Sequence, residues 1–363
     1  MSKAYLVLSD GSVFEGTSFG APVSAIGELV FNTSVVGYNE TLTDPAYAGQ
    51  ILLQTFPMIG NYGFNHQDYE SDAVQCRGVI MREACEAPSN WRCEMNLDAF
   101  LKKHNAIGIQ GIDTRRLTRL IRGTGVINGA ITTEVAPEDT ASVEKLMAEL
   151  KAYKVTGAVA AVTCAEPQVL KPEGELHVAV LDLGVRRSVL HSLTRRGCKL
   201  TVLPAGTSAE EIRALGADGL LITDGPGDPN EYTAIAAELK KLLDEGMPAF
   251  GMGMGHGLAA LAAGAQVEKM KCGHHGANQP VYHFATGRTY ITCQNHCYVV
   301  KGDTLPAGMG AVSAVNANDK SCEAVDYTAW NCFTVQFQPA DKGGLKLFDR
   351  FVEAMKAAKK GEC

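Results

Sequence analysis

No segment of the 363-residue chain approaches the ~18 consecutive apolar residues of a membrane span. Positive charge is not in excess either: 33 Lys and Arg stand against 40 Asp and Glu, a net charge of -7. That balance argues against nucleic acid or an anionic membrane as the main partner. The opening stretch MSKAYLVLSDG has one Lys and a five-residue apolar run that meets Asp10-Gly11 at once. It lacks the longer apolar region and small-residue cleavage site of a signal peptide. The eleven cysteines are odd in number, scattered, and contain no CxxC pair, which excludes a disulfide framework. The expectation is a cytoplasmic protein with reduced thiols.

What is present suffices for about two domains at ~100–200 residues each. Apolar residues make up 46%, enough for a sizeable core, and 38 glycines point to many tight turns. The first half reads as β-rich. Apolar runs at 5–8 and 13–15 flank Asp10-Gly11, a hairpin signal. Further runs stand at 29–31, 51–55 and 78–81, and helical patterns at 97–104, 114–122 and 142–154. From 156 to 176 periodicity is lost and Pro167, Pro172 and Gly174 appear, so this stretch is expected to be a linker between domains at 1–155 and 177–363. The second half alternates strand and helix: strands at 178–181, 198–203, 219–223 and 249–252, helices at 186–195, after Ser208, at 233–245 and from His256. Ser208 and Glu211 have the spacing of a capping box. Such alternation predicts a parallel sheet covered on both faces, with ligands at the carboxyl ends of its strands. Those ends carry Asp224-Gly225-Pro226-Gly227-Asp228-Pro229 and the turn from Gly251 to Gly257.

A strand, a glycine-spaced turn and a helix form the frame of a nucleophile elbow, Gly-x-Nuc-x-Gly. The flanks Gly251 and Gly255 are present, but the central residue is Gly253, which has no nucleophile. A dinucleotide fingerprint fails, because its last glycine falls on His256 or on Leu258, and there is no Gly-Lys-Ser/Thr of a Walker loop. Taken alone, the turn is accounted for by close packing at a strand-to-helix joint.

Wider motifs decide the family. They are Phe31-Asn32-Thr33-Ser34 with Gly37-Tyr38, Leu42-Thr43-Asp44-Pro45, Gly60-Asn61-Tyr62-Gly63, and Gly111-Ile112-Asp113-Thr114-Arg115 with Leu117-Thr118-Arg119. The second half adds the Asp224–Pro229 loop, Lys269-Met270-Lys271, Gly273-His274-His275-Gly276, Gln294-Asn295-His296 and Leu347-Phe348-Asp349-Arg350-Phe351. Nearly end to end, the sequence resembles the small, glutamine-hydrolysing chain of carbamoyl-phosphate synthase, a class I glutamine amidotransferase. The resemblance implies an α/β fold: a β-rich N-terminal domain of the small-chain type, then a flavodoxin-like parallel-sheet amidotransferase domain. It implies a large-chain partner that binds ATP and bicarbonate, with no cofactor or metal on this chain, in arginine and pyrimidine biosynthesis.

The family chemistry is nucleophilic: a Cys attacks the glutamine amide, a His activates it and a Glu orients the His. The corresponding positions here are Gly253, Gln338 and Ala340. Gln is no general base at neutral pH and Ala orients nothing. In the resembling glutamine pocket, Ala46 stands for a Ser, Gly257 for a Gln and Cys297 for a Gly, while Gly225, Gly227, Met254, Asn295 and Tyr298 complete it. The segment after Gln338-Pro339 is shorter than the family pattern. The expectation is therefore a small subunit without glutaminase activity, a structural or allosteric partner in an ammonia-using complex. Two alternatives stay open: an active amidohydrolase with a relocated nucleophile such as Cys297, or a stand-alone small-molecule-binding protein. Cys272 and Cys293 are expected to be core thiols, and His274-His275 a loop and partner-contact surface. Cys293 and Cys297 lie on one face of a strand but ~13 Å apart, too far to share a metal ion.

Overall fold

The computed structural model describes residues 2–135, 139–171, 173–341 and 344–361. The chain forms two compact units, Met1–Thr156 with Lys271–Gly276, and Gly157–Met270 with Ala277–Cys363.

The first unit is built on a closed barrel whose strands follow one another in the order Lys3–Leu8, Val13–Gly20, Ile107–Gln110, Gly78–Ile80, Gln50–Gln54, Ala25–Asn32 and Ile127–Thr132. The Asp10-Gly11 turn produces the expected antiparallel hairpin, with Val7 opposite Val13. Pairing of Lys3–Leu8 with Ile127–Thr132 closes the ring. Successive side chains of a strand point to opposite faces: Leu6 and Leu8 enter the barrel core with Leu29, Ile51, Ile80 and Ile109. Tyr5 and Val7 turn outward and are covered by Leu146 and Leu150 of the helix Thr140–Ala152. The helix Thr114–Thr124 is capped by Asp113, whose carboxylate accepts from Arg116 N at 2.9 Å, and buries Leu117 and Ile121. The strands Ile107–Gln110 and Ile127–Thr132 add to those expected from sequence. His274-His275 lies within the strand Val267–His283 rather than in a loop. His275 is buried, with its ring 6.2 Å from that of Tyr47, because its strand position turns it into the first unit instead of toward solvent.

Among the described residues, the second unit centres on a ten-stranded sheet. Cys198–Pro204, Leu176–Asp182, Gly219–Ile222, Ala249–Met252 and Cys332–Val335 run parallel in that spatial order. Their side chains alternate between two cores. Ala179, Leu181, Leu220 and Ile222 pack with Leu239, Leu242 and Leu258 on one face. Val178, Val180, Leu221 and Phe250 pack with Val189, Leu193, Phe348 and Phe351 on the other. The continuous apolar runs of these strands reflect burial on both sides. Beyond Cys332–Val335 the sheet continues antiparallel through Cys322–Tyr327, Gly310–Asn316, Val267–His283 and Arg288–Val300. Sequence patterning did not reveal that extension.

The stretch 156–176 is not a bare linker. It holds the helix Ala158–Val162 and the strand Gln168–Leu170, which pairs antiparallel with Cys198–Pro204. Elements of five and three residues are too short to show a period. Tertiary hydrogen bonds secure them: Val159 N donates to Tyr232 Oη at 3.1 Å, Cys164 N to Asp182 Oδ2 at 2.7 Å, and Ala205 N to Thr163 Oγ1 at 2.9 Å. Pro172 lies outside the described residues.

The expected capping box forms at the helix Ala209–Ala214. Glu211 N donates to Ser208 Oγ at 3.3 Å and Ser208 N to Glu211 Oε2 at 2.8 Å. Ser208→Ala is expected to cost about 1 kcal/mol, read as a lowered urea midpoint at unchanged m-value. Among the described residues, no helix is long and apolar enough to cross a membrane.

Candidate functional site

The strands Gly219–Ile222 and Ala249–Met252 end side by side, and each is followed by one of the two glycine turns. After Met252 the chain reverses at Gly253, whose φ of 52° and ψ of −109° lie outside the regions open to most side chains. The helix Met254–Ala262 starts at once. Two backbone bonds hold the elbow: Gly253 N donates to Val335 O at 2.9 Å and Gly255 N to Thr223 O at 3.0 Å. The elbow geometry is thus present without a side chain on it.

The space a side chain would need is taken. A Cβ on Gly253 would lie 1.9 Å from Asp224 Oδ1 and 2.3 Å from its Cγ. Asp224 is buried, and its Oδ1 accepts from Gly225 N at 2.8 Å and from Met254 N at 3.1 Å. In the sequence Asp224 stands out only as part of a loop. An acid immediately before Gly225, at the end of a strand beside the elbow, is the signal that could have singled it out.

The remaining expected positions are distributed as follows. Gly225 lies so close to the neighbouring strand end that a Cβ would sit 2.2 Å from Leu183 O. Gly227 has φ +93° and stands near the Tyr232 ring. Gly257 is in the first turn of the elbow helix, where a Cβ would come 2.9 Å from the Pro229 ring. Asn295 and Cys297 are buried on the strand Arg288–Val300, and Tyr298 is half-buried beneath Lys269, whose Nζ is 5.7 Å from its ring centre. Ala46 belongs to the first unit, buried in the turn Pro45–Tyr47, where its N–H donates to Asp44 Oδ1 at 3.0 Å. Gln338 is held through its backbone, N to Cys293 O at 2.9 Å, and Ala340 is exposed. The chain just beyond is fixed by Arg196, which binds Asp341 through Nη1 at 2.5 Å and Asp349 through Nε at 2.6 Å.

The thiols divide by burial. Cys293 is exposed, contrary to the expectation of a core thiol, because at its end of the strand the residues 289, 291 and 293 face solvent while 292 and 294 face inward. Cys297, further along, is buried. His296, adjacent to Cys297 in sequence, directs Nδ1 to Tyr298 O at 2.8 Å and Nε2 to Gln294 Oε1 at 3.1 Å. Gln294 in turn donates to the buried Glu323 at 2.8 Å. Burial pushes several other thiols up, Cys322 to about 12 and Cys164 to about 11, and Cys198 and Cys272 likewise upward. Such groups hold their protons at neutral pH and are poor nucleophiles. Beneath the elbow, His256 is wholly buried with Nδ1 2.7 Å from Thr334 Oγ1, and burial drives its pKa down to about 3.

A doubly covered parallel sheet with an elbow and a glycine loop at its carboxyl end defines a class: residues 179–353 match the family described as glutamine amidotransferase class-I. Residues 6–131 match a second family, carbamoyl-phosphate synthase small chain, CPSase domain. Similar curated proteins align over nearly the whole chain. The carbamoyl phosphate synthase small chain of Listeria monocytogenes serotype 4b is 42% identical over 367 residues, covering 100% of this chain and 99% of its own. That of Archaeoglobus fulgidus is 41% identical over 98% of this chain and 99% of its own. The carbamoyl phosphate synthase pyrimidine-specific small chain of Halalkalibacterium halodurans is 42% identical over 98% of each. The chain belongs to the carbamoyl phosphate synthase small chain family.

Proposed function

We propose that this chain is a small subunit that has lost glutamine hydrolysis and serves its complex as a structural or allosteric partner. The observation that carries this reading is the elbow itself: residue 253 is glycine, and a buried carboxylate stands 1.9 Å from where its Cβ would be. Gln338 and Ala340 supply neither base nor orienting carboxylate. The barrel unit and the motifs outside the site are kept, which fits retained pairing with a large chain that binds ATP and bicarbonate. Free ammonia then replaces glutamine as nitrogen donor, in the cytoplasm, for arginine and pyrimidine synthesis.

A relocated nucleophile at Cys297 is the second reading. His296 counts against it, since both ring nitrogens are turned to Tyr298 O and Gln294 Oε1. Carbamoyl phosphate synthesis by the reconstituted two-chain complex separates the readings. Ammonium is expected to support it and glutamine is not, with no ammonia released from glutamine and no change in C297A. Robust glutamine turnover at rates typical of glutamine amidotransferases would overturn the proposal. A third role, stand-alone binding, is favoured only if no large chain co-purifies and ammonium-dependent synthesis ignores this chain.

A further inference from the structure

In strand–elbow–helix enzymes the oxyanion is held by two backbone donors, the N–H after the nucleophile and an N–H from a separate loop. The residue after the elbow position is Met254, and the loop donor beside it is Gly225. Both N–H groups converge here on one atom, Asp224 Oδ1, at 3.1 and 2.8 Å. We infer that the Asp224 carboxylate is the resident occupant of the anion hole, and that it closes this site to any substrate passing through an oxyanion. The inference rests on reading residue 253 as the vacated nucleophile position.

Three further features support it. Asp224 is 6% exposed, so its charge is not a surface group that happens to lean inward. It sits at the amino end of the nine-residue helix Met254–Ala262, where exposed N–H groups and the helix dipole favour an anion. The same oxygen also fills the space in front of Gly253. An incoming oxyanion would meet neither free donor and would face a like charge at contact distance. The carboxylate can hold this place only while residue 253 lacks a Cβ, which would lie 1.9 Å from Asp224 Oδ1, so a restored side chain has to push the carboxylate aside before either donor is free.

The test compares G253C with G253C/D224A in the full-length chain. In each, the thiolate introduced at position 253 displaces iodide from iodoacetamide to form a thioether, and peptide-resolved mass spectrometry isolates that site from the other cysteines. With Asp224 retained, its carboxylate beside the new side chain disfavours the thiolate. Without it, the helix N–H groups stabilise the thiolate instead. Alkylation at pH 7 is expected to be at least tenfold faster in the double variant, and equal rates would overturn the inference. If the introduced thiol prevents folding, D224A in the chain that keeps Gly253 decides. Amide exchange at Gly225 and Met254 is expected to speed up at least tenfold relative to the rest of the elbow helix, and unchanged protection counts against the inference. Glutamine hydrolysis by the unaltered chain would sink the vacated-site reading itself. Equal alkylation in a chain without glutaminase activity sinks only the role of Asp224.

Discussion

Gly253→Ala lowers the stability of the chain by about 3 kcal/mol or more. Two costs combine. At φ 52° and ψ −109° a non-glycine residue is held in a sparsely populated region at a cost of order 1–3 kcal/mol. The new methyl also has nowhere to go, because Asp224 Oδ1 lies 1.9 Å from the Cβ position, and overpacking a full site costs a further ~1–3 kcal/mol. Asp224 cannot withdraw freely, since it holds both Gly225 N and Met254 N. Gly246 is the control: its φ is +80° but nothing lies within 4 Å of an added Cβ, so Gly246→Ala should show only the smaller, conformational part. Urea unfolding of the two variants measures the difference. Adding D224A should recover part of the loss in G253A and none in G246A. A G253A chain as stable as the parent would contradict the geometry described for the elbow.

Stability falls as the pH is lowered from neutrality, and His256 is a principal cause. In the unfolded chain a histidine titrates near 6.5. In the folded chain burial holds His256 at about 3, with its ring beneath the elbow against Thr334. The folded protein therefore keeps His256 neutral where the unfolded chain is protonated. The stabilisation is fully present above pH 6.5 and is lost as pH falls toward 3, at up to about 1.4 kcal/mol per pH unit. Between pH 6.0 and 4.5 this amounts to about 2 kcal/mol. His104 and His177, also shifted down by burial, add to the same slope, so the measurement is a difference. The pH dependence of the unfolding free energy should be shallower in H256L than in the parent across that window, by the contribution of one proton. Parallel curves would show that His256 does not titrate as its burial dictates.

Much of the architecture was legible because local and global signals agree. Asp10-Gly11 between apolar runs marked the hairpin, Ser208 with Glu211 marked a helix start, and apolar runs alternating with helical patterns marked the parallel strands. The barrel's closure was hidden by glycine. Ile107–Gln110 and Ile127–Thr132 each contain a glycine that reads as weak strand. Yet a Cβ at Gly108 would strike the Phe19 ring at 2.2 Å, and one at Gly129 would reach Leu29 at 2.5 Å, so tertiary packing sets those residues. The antiparallel half of the sheet was hidden by exposure. Val267–His283 carries exposed residues on both faces and shows no clean alternation. At the site, Gly253, Gln338 and Ala340 were visible at the positions where the resemblance implies a thiol, an imidazole and a carboxylate. What fills the space at Gly253 was not visible, because it depends on which side chain from a neighbouring strand end reaches the elbow.

The short strand Gln168–Leu170 bears on aggregation. Its pairing with Cys198–Pro204 covers the parallel edge of the sheet. Bare edges of buried, β-branched strands are templates for association with other chains. A fragment begun at residue 177 would strip that cover from Lys-Leu-Thr-Val-Leu, residues 199–203, whereas one begun at 157 would keep it. Proteolytic nicking between those two points threatens solubility before it threatens the core.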